Sequence, residues 1–227
     1  MSIERGQDTE SYLGGALTDL QILAFIEAGE IILDPFAREN IKSSSIDVCL
    51  GPNYYRQNYF SGEVYNPWNE THVRELWGEP HVAQTARELF SNPEDLGYKP
   101  NDQVIILHTG ELILAHTMEF VGARTRATTM MKARSSVGRN GIAVCMCAGW
   151  GDVGYFNRWT MEIKNNGKNS VGLIVGERVA QIVFIPVGDT MQNYAQTGKY
   201  QTSTDIETLK AAWKPDDMIP KMWRDRI

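Results

Sequence analysis

The run Ala133-Arg134-Ser135-Ser136-Val137-Gly138-Arg139 sets two adjacent hydroxyls between two guanidiniums. That is a compact donor set for phosphate oxygens. Farther along, Glu162 stands ten residues after Asp152, inside Trp159-Thr160-Met161-Glu162-Ile163-Lys164. Alternation there places Trp159, Met161 and Ile163 on one strand face and Thr160, Glu162 and Lys164 on the other. The ordinary reading of the second face is a solvated outer surface. A donor cluster joined to a strand-borne carboxylate is, alternatively, what an enzyme acting on a nucleoside triphosphate could use. Between the two lies Gly149-Trp150-Gly151-Asp152-Val153-Gly154-Tyr155. Its acid and two aromatics among glycines suit a base or sugar packed against exposed backbone.

Other chemistries are weighed against the same residues. Gly149, Gly151 and Gly154 spell G-x-G-x-x-G, but a dinucleotide fingerprint needs a following helix, and the next segment reads as a strand. Arg134 and Arg139 could be surface ion-pair partners, and Ser135-Ser136 a simple turn. Cys145 and Cys147 are two apart, hence on one face of an expected strand over Ile142 to Cys147. Without a second cysteine pair or a nearby histidine they read as core, not as metal ligands. The four histidines show no zinc spacing, and neither a zinc-deaminase pattern nor a Walker A motif occurs.

The elements that must position these residues are mostly short strands. Thr18-Asp19-Leu20-Gln21 reads as a capping box opening a helix with apolar Ile22, Leu23, Phe25 and Ile26, stopped at Gly29. Residues 1 to 17 read as a loose lead-in. Ile31 to Leu33 and Ser45 to Leu50 read as strands, the second ending at Gly51-Pro52. From about 60 to 100 the composition shifts to Pro, Asn, Glu, Trp and His, as in an inserted loop with one short helix around Val82 to Phe90. Val104 to Leu107 and Leu112 to Leu114 flank Thr109-Gly110 like a hairpin. Strands over Trp159 to Lys164, Val171 to Ile174 and Val179 to Ile185 follow. A terminal helix is expected from Asp205 to Trp213, started by Ser203 or Thr204. Many short strands with turn signals argue for a mainly β barrel or sandwich.

The 227 residues suffice for one domain with a sizeable core, and 42% hydrophobic with 22% charged residues is ordinary for a soluble protein. A net charge of −6 supplies no global basic field for nucleic acid or an anionic membrane. No apolar signal core and no membrane-length run is present, and three cysteines make no disulfide framework. A cytoplasmic setting is the simplest expectation.

Several ordered motifs resemble the dCTP deaminases, members of the trimeric dUTPase-like superfamily. They are Ser44-Ser45-Ile46-Asp47-Val48-Cys49-Leu50-Gly51, His108-Thr109-Gly110-Glu111, Arg134-Ser135-Ser136-x-x-Arg139, Ala148-Gly149-Trp150-x-Asp152-x-Gly154-Tyr155, Gly176-Glu177-Arg178-Val179-Ala180-Gln181 and Gly198-Lys199-Tyr200-Gln201. The resemblance covers most of the chain. It implies a distorted β-barrel protomer of one domain, with an inserted region near 60–100 and a tail over 188–227. It also implies a homotrimer with sites at subunit interfaces, and deamination of dCTP to dUTP without zinc.

By that resemblance Glu162 is the general base that activates water toward C4 of cytosine, and Ser135 and Arg139 position the water and support developing charge. The carbonyls of Met146 and Ala148 would hold the amino group and water. Arg134, Ser136 and Gln181 would bind the triphosphate, with Mg²⁺ bridging its oxygens. Asp152 and Tyr155 would hold the deoxyribose, and Tyr194, Lys199 and Tyr200 would close over the site from the tail. Gly138, Gly151 and Ser203 depart from the family's usual alanine, isoleucine and glutamine. The alternatives are a bifunctional enzyme that takes dCTP to dUMP through Asp152 and Glu162, a dUTPase, or a non-enzymatic nucleotide-sensing or partner-binding protein. The tail lacks the arginine- and glycine-rich phosphate motif of a monofunctional dUTPase.

Overall fold

The structure, a computed structural model, describes residues 14–225. The expected lead-in therefore lies, up to residue 13, outside the described residues. At the start of the fold Thr18 accepts the Gln21 N–H while Gln21 Oε1 accepts the Thr18 N–H, the reciprocal capping box. The resulting helix α1 (Asp19–Glu27) buries Ile22 and stops at Gly29, whose φ of 74° suits glycine.

Then come β1 (Ile31–Asp34), β2 (Ile41–Lys42) and β3 (Ser45–Arg56). Strand β3 is twice as long as its expected span and does not end at Gly51-Pro52. Instead its pairing with the neighbouring strand shifts register between Leu50 and Tyr54, so the Gly-Pro pair sits inside an irregularity. A side chain at Gly51 would run into the buried His116 ring, which explains the glycine.

The 60–100 region carries more structure than its composition suggests. A helix α2 (Glu70–Trp77) was not expected. Asn69 caps it by accepting from the N–H of Thr71 and His72, and Val73 and Trp77 bury one face. The helix expected over Val82 to Phe90 shrinks to α3 (Ala86–Leu89), because β4 (His81–Val82) and β5 (Gln84–Thr85) take the residues before it.

The hairpin expected across Thr109-Gly110 does not form. Strand β6 (Gln103–Leu107) pairs with β5 and with β12 (Val171–Ile174) in a separate three-stranded sheet. Strand β7 (Leu112–Ala123) runs on for twelve residues and pairs with β1, β3 and β11 (Phe156–Asn165). Both runs are apolar and β-branched, but each is buried against a different partner.

The larger sheet among the described residues has ten strands, in the order β10 (Trp150–Gly151), β8 (Ala127–Ala133), β13 (Arg178–Pro186), β3, β7, β11, β9 (Ile142–Ala143), with β1, β2 and β4 at its sides. It is a curled half-barrel, consistent with the mainly β expectation. Its inner face carries Ile46, Val48, Ile113, Ala115, Met161 and Ile182, all fully or nearly fully buried. Short helices α4 (Ser135–Arg139) and α5 (Tyr194–Thr197) lie beside it. The last helix, α6 (Ile206–Ala212), is capped not by Ser203 or Thr204 but by Asp205, which accepts from the Thr208 N–H at 2.8 Å; Ser203, two residues earlier, accepts the Asp205 N–H. A second apolar cluster lies on the outer face. There Tyr55, Leu114, Val73 and Trp77 meet Met218 and Ile219 of the C-terminal segment. Helix α2 and the C-terminus thus cover the same stretch of sheet.

Candidate active site

Along β11 the alternation holds. Trp159, Met161 and Ile163 join the core, and Thr160 and Glu162 point the other way. That second face is not open surface. It forms the floor of a cavity of about 390 Å³. The walls come from four places: Ala148 and Asp152 from the loop around β10, Tyr155 after it, Tyr194 and Tyr200 from the tail, and Trp213 and Met218 from the C-terminal segment.

Glu162 is one of two chemically unsatisfied groups in this cavity; the other is Arg158, through its Nε. The Glu162 Oε2 is buried with no hydrogen-bond partner among the described residues. Burial raises its pKa above the usual 4.5, and a hydrogen bond from its own backbone opposes the shift. A half-buried carboxylate with a free lone pair is suited to accept a proton from water.

The turn that presents Asp152 is shaped by glycine. Gly154 has a φ of 94°, and a side chain on it would strike Asn193. This close approach brings the tail in: the Tyr194 N–H donates to Val153 O at 2.9 Å, and Asn193 Nδ2 donates to Arg124 O. Buried Gln201 then clamps the strand start, accepting the Phe156 N–H at 2.8 Å and donating to Gly154 O at 3.0 Å. Asn157 Nδ2 donates to Tyr200 O. Tyr155 stands edge-on to both Trp159 and Tyr194, with ring centroids 5.2 Å apart in each case. Burial lifts the Tyr155 hydroxyl's pKa far above its usual 10.

Of the residues singled out from sequence, Glu162, Ala148, Asp152, Tyr155, Tyr194, Lys199 and Tyr200 line this one cavity. Arg134, Ser135, Ser136, Arg139, Met146 and Gln181 do not line it within a single chain. Helix α4 instead projects Ser135, Ser136 and Arg139 to the outside, where their side chains make no hydrogen bond or ion pair among the described residues. Arg134 is held back by Asp47, 3.3 Å from its Nε. Gln181 is the cross-strand partner of Asp47, so both emerge on one sheet face.

The strand expected over Ile142 to Cys147 ends at Ala143. Cys145 and Met146 adopt left-handed backbone with φ of 62° and 40°, and the Ala148 N–H closes the turn on Cys145 O at 2.7 Å. Two non-glycine residues in that region carry strain. Cys145 is consequently buried and Cys147 exposed, so the two do not share a strand face.

Sequence reasoning missed several wall residues, Met218 among them. Arg158 lies over the Phe120 and Trp213 rings, at 5.0 and 4.6 Å. The Trp213 ring also meets His116, centroids 4.6 Å apart and the planes tilted by 51°. Asp217 reaches the cavity from the C-terminal segment. The expected strand began at Trp159, one residue short of Arg158, and nothing local pointed to Trp213 or Asp217. Among the described residues no three His, Cys, Asp or Glu side chains gather as a metal site, and no helix is long and apolar enough to cross a membrane.

Residues 16–187 match the family model described as dCTP deaminase-like. The chain is similar to the dCTP deaminase, dUMP-forming, of Methanobrevibacter smithii, with 31% identity over 74% of this chain and 78% of that protein. It is also similar to the dCTP deaminase, dUMP-forming, of Thermobifida fusca, with 30% identity over 78% of this chain and 81% of that one. Among solved structures, the 2'-deoxycytidine 5'-triphosphate deaminase from Agrobacterium tumefaciens superposes with a TM-score of 0.55 at 18% identity, over 82% of this chain. This chain spans about half (54%) of that crystallised chain, and the likeness concerns the fold. The match across most of the length, with sequence relatives above 30% identity, establishes that the chain belongs to the dCTP deaminase-like family.

Proposed function

We propose that this protein deaminates dCTP, with Glu162 as the proton-handling residue. The observation that carries this reading is the buried, unpartnered Glu162 oxygen on the floor of an aromatic-walled cavity. A cytosine ring fits between the aromatic walls, with its C4 amino group directed toward Glu162. The carboxylate takes a proton from water, whose oxygen bonds to C4. That proton passes to ring N3 and stays there; the carboxylate next takes the proton of the new C4 hydroxyl and hands it to the departing amino group. The C4–N bond breaks, ammonia leaves and the uracil carbonyl remains. The pKa raised by burial makes the carboxyl group a better proton acceptor, and so suits it both to take and to return protons. Ala148 lines the cavity, and its carbonyl would accept from the amino group or the water.

The cavity's own cations are engaged, Lys199 with Asp225 and Arg158 over two aromatic rings, so the triphosphate calls for further donors. The exposed Ser135, Ser136 and Arg139 of α4, with Arg134 and Gln181 nearby, are the suitable set. A homotrimer that presses α4 of one subunit against the cavity of the next completes the site. Mg²⁺ would be carried by the triphosphate oxygens, which supply its ligands and so require no cluster of protein carboxylates. Asp152 and Tyr155 take the deoxyribose.

A second step is favoured by the relatives, which are named dUMP-forming. Asp152 on its glycine-shaped turn would direct a second water at the α-phosphate, giving dUMP and pyrophosphate. Incubation with dCTP and Mg²⁺, with chromatography of nucleotides and an ammonia assay, decides between the two. Ammonia with dUTP supports deamination alone, and ammonia with dUMP supports both steps. Absence of ammonia overturns the reading.

A further inference from the structure

Behind the Tyr200 and Trp213 wall lies a second cavity, of about 200 Å³. It is built by the two regions that cover the outer sheet face: α2 contributes Arg74, and the C-terminal segment contributes Lys214, Lys221 and Arg224. Lys199 lines both cavities. Against these five cations stand two lining carboxylates, Asp216 and Asp217. Each carboxylate already has a partner: Arg74 Nη1 lies 3.0 Å from Asp216, and Lys221 Nζ 3.4 Å from Asp217. Lys199 pairs at 2.6 Å with Asp225, which is not part of the lining. Lys214 and Arg224 form no ion pair among the described residues.

Arg74 also pairs with Glu70 at 2.9 Å, so with Asp216, Asp217 and Asp225 four carboxylates face the five cations, and the balance is still positive in a chain whose formal net charge is −6. Lys221 is only 7% exposed, and its ammonium and that of Lys199 stand 5.5 and 5.6 Å from the Tyr200 ring centre. Like charges gathered at a concave, partly buried site focus a field that favours a multivalent anion. The volume falls below the roughly 300–1,000 Å³ typical of pockets for drug-sized ligands, so a nucleotide does not fit but a small oxyanion does. Guanidinium and ammonium groups together match phosphate oxygens.

We propose that this second cavity binds phosphate or pyrophosphate, separately from the phosphates of a nucleotide in the first cavity. The site goes beyond the deaminase reading, because its occupancy needs no turnover.

The test is calorimetric titration of the full chain carrying Glu162→Gln and saturated with dCTP, at fixed free Mg²⁺. Inorganic phosphate is titrated in one arm and pyrophosphate in the other. At least one anion binds in the presence of dCTP, at least tenfold more weakly in Lys214→Gln/Arg224→Gln. The charge-keeping Lys214→Arg/Arg224→Lys pair retains binding, which separates lost charge from lost fold. Displacement of the anion by dCTP, equal affinity in the Gln pair, or no anion binding in either arm overturns the proposal. A chain that gives no heat with dCTP counts against the deaminase reading alone, and the comparison of variants still decides the anion site.

Discussion

Asp47 Oδ2 lies 3.3 Å from Arg134 Nε, tying the middle of the sheet to the residue that opens α4. Arg178 and Lys42 approach the same oxygen at 3.6 and 4.0 Å, and Asp47 itself is 2% exposed. A buried carboxylate ringed by cations fixes the direction of the Arg134 guanidinium, which also donates to Arg178 O. Its job in the proposed site is therefore to aim a phosphate donor. Asp47→Asn removes the carboxylate charge that three cations share through ion pairs, at an oxygen that accepts no hydrogen bond among the described residues. The KM for dCTP is expected to rise about tenfold or more, with a smaller change in kcat. Steady-state kinetics checks this, and a fall in kcat at constant KM would count against Arg134 as a phosphate ligand.

Glu162→Gln should leave dCTP binding in place and abolish ammonia release. It should also stabilise the fold at neutral pH, by about 1–2 kcal/mol, because the desolvated carboxylate is compensated only by a hydrogen bond from its own backbone. The folded-state pKa is raised, so the native chain holds this proton more tightly than the unfolded chain. Stability from this group is present below the ordinary pKa of 4.5 and declines as pH rises through the raised value. Thermal melts across pH should show that decline in the wild type and not in the variant. The acid limb of kcat/KM should correspondingly sit above pH 4.5.

His116 predicts a pH effect of opposite sign. Its ring is buried between the sheet and Trp213, Nε2 accepts the Asn53 N–H, and Nδ1 donates to Thr117 O. Burial, helped by Arg158, pulls its pKa from 6.5 to about 4. The unfolded chain therefore binds the proton first as pH falls. Stability drops between pH 6.5 and about 4, by up to about 3 kcal/mol, and stops changing below that range. Urea titrations at several pH values measure the slope, and His116→Gln should flatten it.

Gly154→Ala should loosen the tail. The new methyl meets Asn193 at a backbone φ of 94°, a strain of about 1–3 kcal/mol. The Tyr194 and Gln201 contacts to the 153–156 turn are the ones displaced. Trypsin cleavage after Lys199 should become faster than in the wild type, and the KM for dCTP should rise several-fold. Unchanged cleavage would mean that the tail is held elsewhere.

Some of the fold and half of the site could be read along the chain. The Thr18–Gln21 capping box and the parity of β11 depend on residues two to four positions apart, so they are written locally. Parity put Glu162 opposite Met161 and Ile163, and motif resemblance named Asp152, Tyr155 and Tyr200, which do share its cavity. Local patterns misled where the partner decided. The β6 and β7 runs look like a hairpin but enter different sheets, and Gly51-Pro52 looks like an end but lies within β3 because His116 needs the space.

The sequence by itself determined the strand chemistry, the glycine-shaped turn at 149–155 and the family. Only the tertiary structure decided that the outer face of β11 is enclosed. That enclosure depends on Trp213 and Met218 crossing about fifty residues of chain to reach Glu162, and on α2 packing beside them. No local pattern encodes such contacts. They form because the apolar outer faces of Tyr55 and Leu114 are buried by whichever distant segment can cover them.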